Sequence, residues 1–170
     1  MQDLKDKVIA ITGGATGIGF ALAKTLGQEG AKIIIGEPRK EKLEEAVKII
    51  RDLGIESYET ILDVTNLKSV EEFLEFTIKN FGRVDILINN AGISGARGRI
   101  DKVDINEAKN VFDVNFFGVW HGCAVFSKKM IERGTSAAIY NLGSENSLFI
   151  AVPKSVAYVA SKHAVFTLSE

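Results

Sequence analysis

The stretch "KVIAITGGATGIGFALAKTLGQEG", residues Lys7–Gly30, decides the fold class of this chain. Its first part is a short, β-branched apolar run that predicts a buried strand, and this run stops at a pair of glycines. From Ile18 the apolar residues recur with helical spacing as far as Gly30, which we expect to end the helix. The stretch therefore predicts a strand, a glycine-rich turn and a helix in direct succession.

The same alternation continues to the end of the chain. Four further strands are predicted in the segments "AKIIIGE" (31–37), "ESYETILDV" (56–64), "RVDILINNAG" (83–92) and "SAAIYNLGS" (136–144). Helices are predicted over residues 40–54, 66–82 with Asn66 as N-cap, 105–132, and from about Ser155 to the end. Such alternation is typical of an α/β protein with a doubly wound parallel sheet, here of about five strands in one domain over residues 1–170.

Composition narrows the possible functions. The 170 residues are 46% hydrophobic and 25% charged, with 21 Lys and Arg against 22 Asp and Glu, so neither nucleic acid nor an anionic membrane is a favoured partner. The chain has no apolar run of the ~18 residues that span a bilayer. Cys123, the single cysteine, has apolar neighbours and is expected to be a buried free thiol. These features favour a cytoplasmic protein with a small-molecule ligand, and we predict no metal site.

The glycine turn indicates what that ligand is. Glycine occupies positions 13, 14, 17 and 19, so a ligand can approach the backbone closely, and the helix that follows directs free N–H groups toward it. The spacing differs from the G-x-G-x-x-G fingerprint, although the physical effect is similar. No Gly-Lys-Ser/Thr follows the glycines, which excludes a P-loop. We therefore expect the turn to bind the pyrophosphate of a dinucleotide.

Glu37 indicates which dinucleotide is bound. It ends the second predicted strand, eighteen residues after Gly19, where a carboxylate can accept hydrogen bonds from the adenosine ribose hydroxyls. A 2′-phosphate would be repelled there, Pro38 follows instead of a cation, and position 16 is Thr16 instead of Arg or Lys. This favours NAD over NADP. Arg39, two residues on, leaves an alternative open because its guanidinium could pair with a phosphate.

Four motifs occur in a familiar order: "TGGATGIG" (12–19), "NNAG" (89–92), "VN" ending at Asn115, and "YVASK" (158–162). With them the whole chain resembles the short-chain dehydrogenase/reductase family. The resemblance implies a Rossmann-type fold and nicotinamide-dependent alcohol or carbonyl chemistry. The candidate cofactor-binding residues are Gly13, Thr16, Gly17, Ile18, Gly19, Glu37, Asp63, Val64, Asn90, Ala91, Gly92, Tyr158 and Lys162.

Tyr158 and Lys162 are four residues apart, so on a helix their side chains lie on one face. An ammonium beside a phenol favours the phenolate and lowers the tyrosine pKa toward neutrality. The resemblance implies that Tyr158 exchanges a proton with the substrate oxygen and that Lys162 also binds the nicotinamide ribose. It further implies that Asn115 holds a water connecting Lys162 to solvent, and that a serine after the fifth strand orients the substrate oxygen.

Two serines compete for that last role. Ser144 directly continues the fifth strand but precedes Tyr158 by fourteen residues, one more than is usual in the family, and Glu145 occupies the usual position. We predict Ser144, with Ser147 as second choice. Glu145 is expected to be a solvated loop carboxylate.

The resemblance also implies C-terminal strands that this sequence does not contain, which would leave the fifth strand as an exposed edge. Three hypotheses follow: an NAD-dependent dehydrogenase or reductase that is shortened or a fragment, an NAD-binding module without turnover, or a remnant that needs a partner to complete its sheet. The long helices after the fourth and fifth strands are expected to form a homo-oligomer interface. The identity of the alcohol or carbonyl substrate does not follow from the sequence.

Overall fold

A computed structural model describes residues 4–145 and 152–170. It contains a five-stranded parallel sheet with the order β3-β2-β1-β4-β5. The strands are β1 (Val8–Thr12), β2 (Lys32–Glu37), β3 (Ser57–Ile61), β4 (Ile86–Asn89) and β5 (Ala138–Asn141). The predicted doubly wound sheet is thus confirmed, with strands shorter than their apolar runs because several runs continue into the loops.

Helices lie between the strands as the alternation predicts. They are α1 (Gly17–Gln28), α2 (Lys40–Asp52), α3 (Leu67–Phe81), α4 (Ile105–Phe112), α5 (Gly118–Arg133) and α6 (Val156–Leu168). The Asn66 side chain accepts hydrogen bonds from the N–H groups of Lys68 and Ser69, which confirms the predicted N-cap of α3. Gly30 follows the end of α1 with a φ of +92°, the conformation that favours glycine after a helix.

Alternate residues of the central strands supply two separate cores. Ile9 and Ile11 of β1 contribute to a core under α1 and α2, whereas Ala10 contributes to the core on the opposite face with Phe73 of α3 and Phe126 of α5. Both faces of β1 are fully buried, as its continuous apolar sequence predicts. A smaller cluster of Ala96, Val111 and Ala157, with Tyr158 packed against it, joins α4, α6 and the loop after β4.

The helix predicted over 105–132 is not uniformly α-helical. Residues Asp113–Phe117 form a π-helical turn between α4 and α5, and the Gly118 N–H donates to the Asp113 carbonyl five residues back. Apolar spacing does not reveal this turn, because the change from i+4 to i+5 bonding depends on how the backbone packs against neighbouring segments. Such turns are frequent at functional sites, and this one contains Asn115.

Cys123 is a free thiol, as expected, but it is half-buried instead of buried. Its sulfur lies 3.5 Å from Asn141 Oδ1 and 3.6 Å from Asn89 Nδ2, between β4 and β5. Burial raises the pKa of the thiol, an effect that the Asn141 contact opposes. β5 forms the edge of the sheet, and Tyr140 on it is 56% exposed. None of the helices in residues 4–145 and 152–170 has the length and hydrophobicity of a transmembrane span.

Asp85, directly before β4, links the amino ends of β1 and β4 to the end of α5. Its carboxylate accepts hydrogen bonds from the Val8 N–H (2.9 Å) at the start of β1, from Arg83 Nε (2.8 Å) and from Arg133 Nη2 (2.9 Å) at the end of α5. Only 4% of Asp85 is exposed. Burial by itself raises the pKa of Asp85, but the Val8 hydrogen bond and the two guanidinium groups outweigh it, so the pKa lies below its ordinary value.

We expect Asp85→Asn to lower the free energy of unfolding at pH 7 by about 2–3 kcal/mol, because two cations lose their buried partner. The folded-state pKa is depressed, so this carboxylate stabilises the fold above its unfolded-state pKa of about 4, and the contribution is lost as the pH falls through the folded-state pKa. Urea unfolding should therefore show a difference from wild type that is large at neutral pH and shrinks in acid.

Asp52→Asn, at an exposed position at the end of α2, serves as the matched control and should change stability by less than about 0.5 kcal/mol. A difference between Asp85→Asn and wild type that stayed constant from neutral to acid pH would contradict this account of Asp85.

Candidate active site

A cavity of about 1050 Å³ opens at the carboxyl ends of the strands, around the point where β1 and β4 send their chains in opposite directions. Ligands bind open α/β sheets at this type of crevice. Of the residues predicted for the site, the cavity is lined by Gly13, Thr16, Gly17, Ile18, Glu37, Asp63, Val64, Asn90, Ala91, Gly92, Ser144, Tyr158 and Lys162. Gly19 and Asn115 lie behind this lining.

The glycine turn is hydrogen-bonded directly to the end of β4. The Thr12 hydroxyl accepts from the N–H groups of Asn90 and Ala91, each at 3.0 Å. In return, Asn90 Nδ2 donates to the carbonyls of Thr12 (2.9 Å) and Gly13 (3.0 Å). Four hydrogen bonds therefore hold the glycine turn against the end of β4.

This contact depends on the absence of two side chains. A Cβ on Gly13 would stand 2.9 Å from Ala91 Cα, and Gly13 has a φ of +63°. A Cβ on Gly19 would overlap Asn90 Nδ2 and the Gly13 carbonyl oxygen. Gly19 thus acts by letting α1 approach Asn90, which explains its position behind the cavity wall.

The amino end of α1 is suited to an anion. Its N-cap, Thr16, makes no side-chain capping hydrogen bond, and the first turn has no acidic residue. Gly17 is exposed at the cavity, where a Cβ would meet nothing within 4 Å. The unpaired N–H groups and the helix dipole can bind a diphosphate here, so the residues present fit a dinucleotide cofactor.

Glu37 ends β2 at one side of the cavity and is 2% exposed. Its carboxylate accepts a hydrogen bond from Arg39 Nε, and Arg39 Nη2 donates to the Thr16 hydroxyl at 3.2 Å. Arg39 therefore bridges β2 to the glycine turn and neutralises Glu37 without covering the cavity, which both residues line.

Asp63 and Val64 follow β3 on the same side of the cavity. The Asp63 carboxylate is exposed, and its Oδ1 accepts from the N–H (3.0 Å) and hydroxyl (2.8 Å) of Thr65, which fixes the turn. Val64 is buried, and its carbonyl contacts His121 Nδ1 at 2.9 Å. The pair forms one wall next to Ala91.

Tyr158 and Lys162 face the cavity from α6. Lys162 is 4% exposed, and its Nζ donates to the Leu142 carbonyl at 2.7 Å. Burial lowers the pKa of Lys162. A Cβ on Gly92 would be 3.6 Å from Lys162 Nζ, so the ammonium lies next to the end of the "NNAG" segment.

Asn115 is fully buried beneath this group. Its Oδ1 accepts from the Ile93 N–H (2.8 Å), and its Nδ2 donates to the Ile93 carbonyl (2.9 Å) and to the Ser161 hydroxyl (3.2 Å). The amide therefore joins the π-helical turn to the loop after β4 and to α6. Its side chain positions these three segments and does not reach the cavity.

Ser144 lines the cavity together with Tyr158. Leu142, two residues earlier, is held by its N–H donating to the Asn89 carbonyl at 2.9 Å, so the exit of β5 is fixed against β4. Glu145 is exposed, as expected. The second-choice serine, Ser147, lies outside the described residues.

A family profile described as short chain dehydrogenase matches residues 7–170. An uncharacterized oxidoreductase of Staphylococcus saprophyticus is 34% identical over 171 residues, which cover 100% of this chain and 72% of that protein. This chain belongs to the short-chain dehydrogenase/reductase family.

Other members of the short-chain dehydrogenase/reductase family are longer. The match to a probable oxidoreductase of Mycobacterium bovis, 33% identical, covers 97% of this chain but 28% of that protein. NAD⁺-bound xylitol dehydrogenase superposes with a TM-score of 0.93 at 30% identity and 64% coverage of its chain. A metagenomic short-chain oxidoreductase in complex with NADP gives a TM-score of 0.90 at 28% identity and 75% coverage. The fold thus occurs with either nicotinamide cofactor.

Sequence reasoning missed three residues of this short-chain dehydrogenase/reductase site. Thr12 supplies the hydroxyl that joins the two strand ends, and its position directly before the glycines was an available signal. The Leu142 carbonyl that binds Lys162 had no signal, because any residue supplies a carbonyl. Arg97 lines the cavity from the loop after β4, in a segment whose composition is generic.

We expect Gly19→Ala to weaken NADH binding about tenfold or more, because its Cβ displaces Asn90 and with it the turn that faces the diphosphate. Gly27→Ala is the matched control on the same helix, since its Cβ meets Ile55 at 2.5 Å, far from the cavity. Both variants should lose stability by ~1–3 kcal/mol from overpacking.

Fluorescence titration with NADH, together with urea unfolding, separates the two effects. Equal loss of NADH affinity in Gly19→Ala and Gly27→Ala would show that overpacking alone weakens binding and that Gly19 has no particular role.

Proposed function

We propose that this protein is an oxidoreductase that interconverts a small alcohol and its carbonyl compound with a nicotinamide cofactor. One observation carries the proposal: Tyr158, Lys162 and Ser144 line the same cavity as the glycine turn at the amino end of α1. The anion-binding end of α1 and the proton-exchanging group of Tyr158 can therefore act on a cofactor and a substrate that are bound in the same cavity. When bound, the nicotinamide supplies or accepts the hydride.

The cofactor would lie along the cavity with its diphosphate at the N–H groups of Gly17 and Ile18, and Gly19 would support this site by letting α1 approach Asn90. Asp63 and Val64 would form the wall for the adenine, and Asn90, Ala91 and Gly92 would line the cleft toward Lys162, since all five residues line the cavity. The adenosine ribose would meet Glu37, a buried carboxylate with acceptor capacity left over from its contact with Arg39. We therefore propose NAD in preference to NADP.

Tyr158 is the group that we assign to proton transfer. In carbonyl reduction its hydroxyl would donate a proton to the substrate oxygen, and in alcohol oxidation the phenolate would remove that proton. Ser144, which lines the same cavity, would donate a hydrogen bond to the same oxygen and hold it near Tyr158. Both side chains line the cavity, and α6 is anchored to the exit of β5 through Lys162 and Leu142.

Lys162 would place a positive charge beside the phenolate and a donor toward the ribose of the nicotinamide. A lysine has three N–H donors, and the Leu142 carbonyl uses one of them, which leaves two for the ribose and for solvent-connected groups. Asn115 would hold the water that returns protons to Lys162. The nearness of the two side chains supports this assignment: a Cβ on Gly92 would lie 3.4 Å from Asn115 Oδ1 and 3.6 Å from Lys162 Nζ.

We also propose that the protein is cytoplasmic and self-associates through the helices after β4. The exposed apolar side chains on this surface support a second copy as the partner: Ile105 is 65% exposed, Phe117 46%, Trp120 50% and Ile131 77%. Apolar side chains of this size on neighbouring helical segments are typical of protein interfaces.

Tyr158→Phe should lower kcat for alcohols and ketones by about 10²–10⁴-fold while the NADH dissociation constant stays within about twofold, because only the exchangeable proton is lost. Tyr140→Phe, on the exposed edge strand, is the matched control and should leave both values unchanged. Steady-state turnover on a panel of substrates and NADH titration are the measurements.

On the same panel, Ser144→Ala should lower kcat and Ser147→Ala should not. The reverse outcome would assign the substrate-orienting role to Ser147. Saturable NADH binding without turnover by the wild type, on every substrate tried, would instead favour a binding module that does not catalyse hydride transfer.

The cofactor preference is tested at Glu37. We expect the wild type to bind NADH at least about tenfold more tightly than NADPH, and Glu37→Ala to reduce this ratio, because the repulsion disappears and Arg39 is released to pair with the 2′-phosphate. Adding Arg39→Gln to Glu37→Ala should remove the gain in NADPH affinity.

Glu41→Gln, on the exposed first turn of α2, is the control for a general change of charge. Wild-type preference for NADPH in parallel titrations would contradict the role proposed for Glu37.

A further inference from the structure

One cation in the cavity is not used by the proposed chemistry. Arg97 lies on the loop that leaves β4 and lines the cavity together with Ser144 and Tyr158. The loop that carries Arg97 is held near the start of α6, because the Gly98 N–H donates to the Lys154 carbonyl at 2.9 Å. Arg97 therefore lies at the end of the cavity away from Glu37. Arg97 is therefore on the substrate side of the cavity.

Arg97 differs from the other arginines in having no acidic partner within residues 4–145 and 152–170. Each of the other five pairs with a carboxylate: Arg39 with Glu37, Arg51 with Glu59, Arg83 and Arg133 with Asp85, and Arg99 with Asp101. In the described part of the chain, the Arg97 guanidinium also makes no hydrogen bond. Its donors are available to a ligand.

In the part of the chain that the structure describes, no carboxylate forms an ion pair that would neutralise this charge. Asp101, four residues on, contacts Arg99 and Lys102, and Glu145 forms no ion pair with Arg97. The segment 146–151 contains no acidic residue in its sequence. Lys162 also lines the cavity, so the charged side chains at this end favour an anion.

The backbone that carries Arg97 is held in place. Ala96 is 2% exposed, has a φ of +51° and packs in the cluster of Val111, Ala157 and Tyr158. A non-glycine residue in the left-handed region costs energy and persists where the surrounding structure requires it. Arg97 is thereby presented from a fixed point that also touches the helix of Tyr158.

We propose that the Arg97 guanidinium binds an anionic group, a carboxylate or a phosphate, at the far end of the substrate whose oxygen meets Tyr158 and Ser144. The inference rests on the proposed function and specifies its substrate class: oxo acids and hydroxy acids, or their phosphorylated equivalents. A guanidinium forms two parallel hydrogen bonds with either group, which fixes the orientation of the substrate as well as its charge. Arg97 is then the residue that selects the substrate.

The test compares substrates that differ only in charge, at physiological ionic strength. The carboxylate arm uses acetoacetate and levulinate against their methyl esters, and the phosphate arm uses dihydroxyacetone phosphate against dihydroxyacetone. We expect wild-type kcat/KM to favour the anion in one arm by about tenfold or more, as expected for a hydrogen-bonded charge pair. Arg97→Gln should abolish that preference by lowering kcat/KM for the anionic substrate far more than for its neutral counterpart.

Arg97→Lys should retain part of the preference, because the charge remains but the planar pair of donors is lost. Arg99→Gln, two residues away on the same loop and paired with Asp101, is the matched control and should keep the wild-type preference. Absence of a preference in the wild type, or one that Arg97→Gln leaves intact, would overturn the proposal.

Failure of the proposed function would give a different result. If the wild type reduced none of the compounds with NADH, neutral ones included, ligand-observed NMR with levulinate and dihydroxyacetone phosphate would still decide the role of Arg97. Binding that Arg97→Gln removes and Arg99→Gln keeps would support the anion site, and absence of such binding would refute it.

Discussion

The contact between the carboxyl ends of β1 and β4 is the constraint on which the rest of the site depends. Four hydrogen bonds join Thr12 and Gly13 to Asn90 and Ala91 across it. Glycine at positions 13 and 19 leaves room for the two backbones and α1 to come together, because a Cβ at either position would clash. Since the chain turns to opposite faces of the sheet after these two strands, a cavity must open beside this contact. The glycines therefore shape the site through packing as well as through their openness to a ligand.

The second half of the site is attached to that contact through buried polar groups. The Asn115 amide ties the loop after β4 to α6, and Lys162 ties α6 to the exit of β5. Burying an ammonium group is costly unless it is paired, and the Leu142 carbonyl supplies one partner. Lys162 thus combines a structural role, the docking of α6, with the chemistry proposed for it, and Tyr158 is positioned as a result.

Much of this arrangement follows from local sequence signals. Apolar runs located all five strands, Asn66 marked the start of α3, and the "TGGATGIG" and "YVASK" motifs identified residues that the fold brings to one cavity. The signals failed where the outcome depends on distant partners. The π-helical turn at Asp113–Phe117, the half-buried state of Cys123 and the pairing of Asn115 with Ile93 all arise from packing between segments that periodicity does not relate.

The sequence by itself determined the order of strands and helices, the glycine turn and the set of side chains available for chemistry, because these depend on residue type and short-range spacing. Only the tertiary structure decided that the Leu142 carbonyl binds Lys162 and that Arg97, alone among the six arginines within the described ranges, faces the cavity without a carboxylate partner. Which groups become hydrogen-bond or ion-pair partners depends on the distances between the strand ends. Those distances exist only once the five strands have paired.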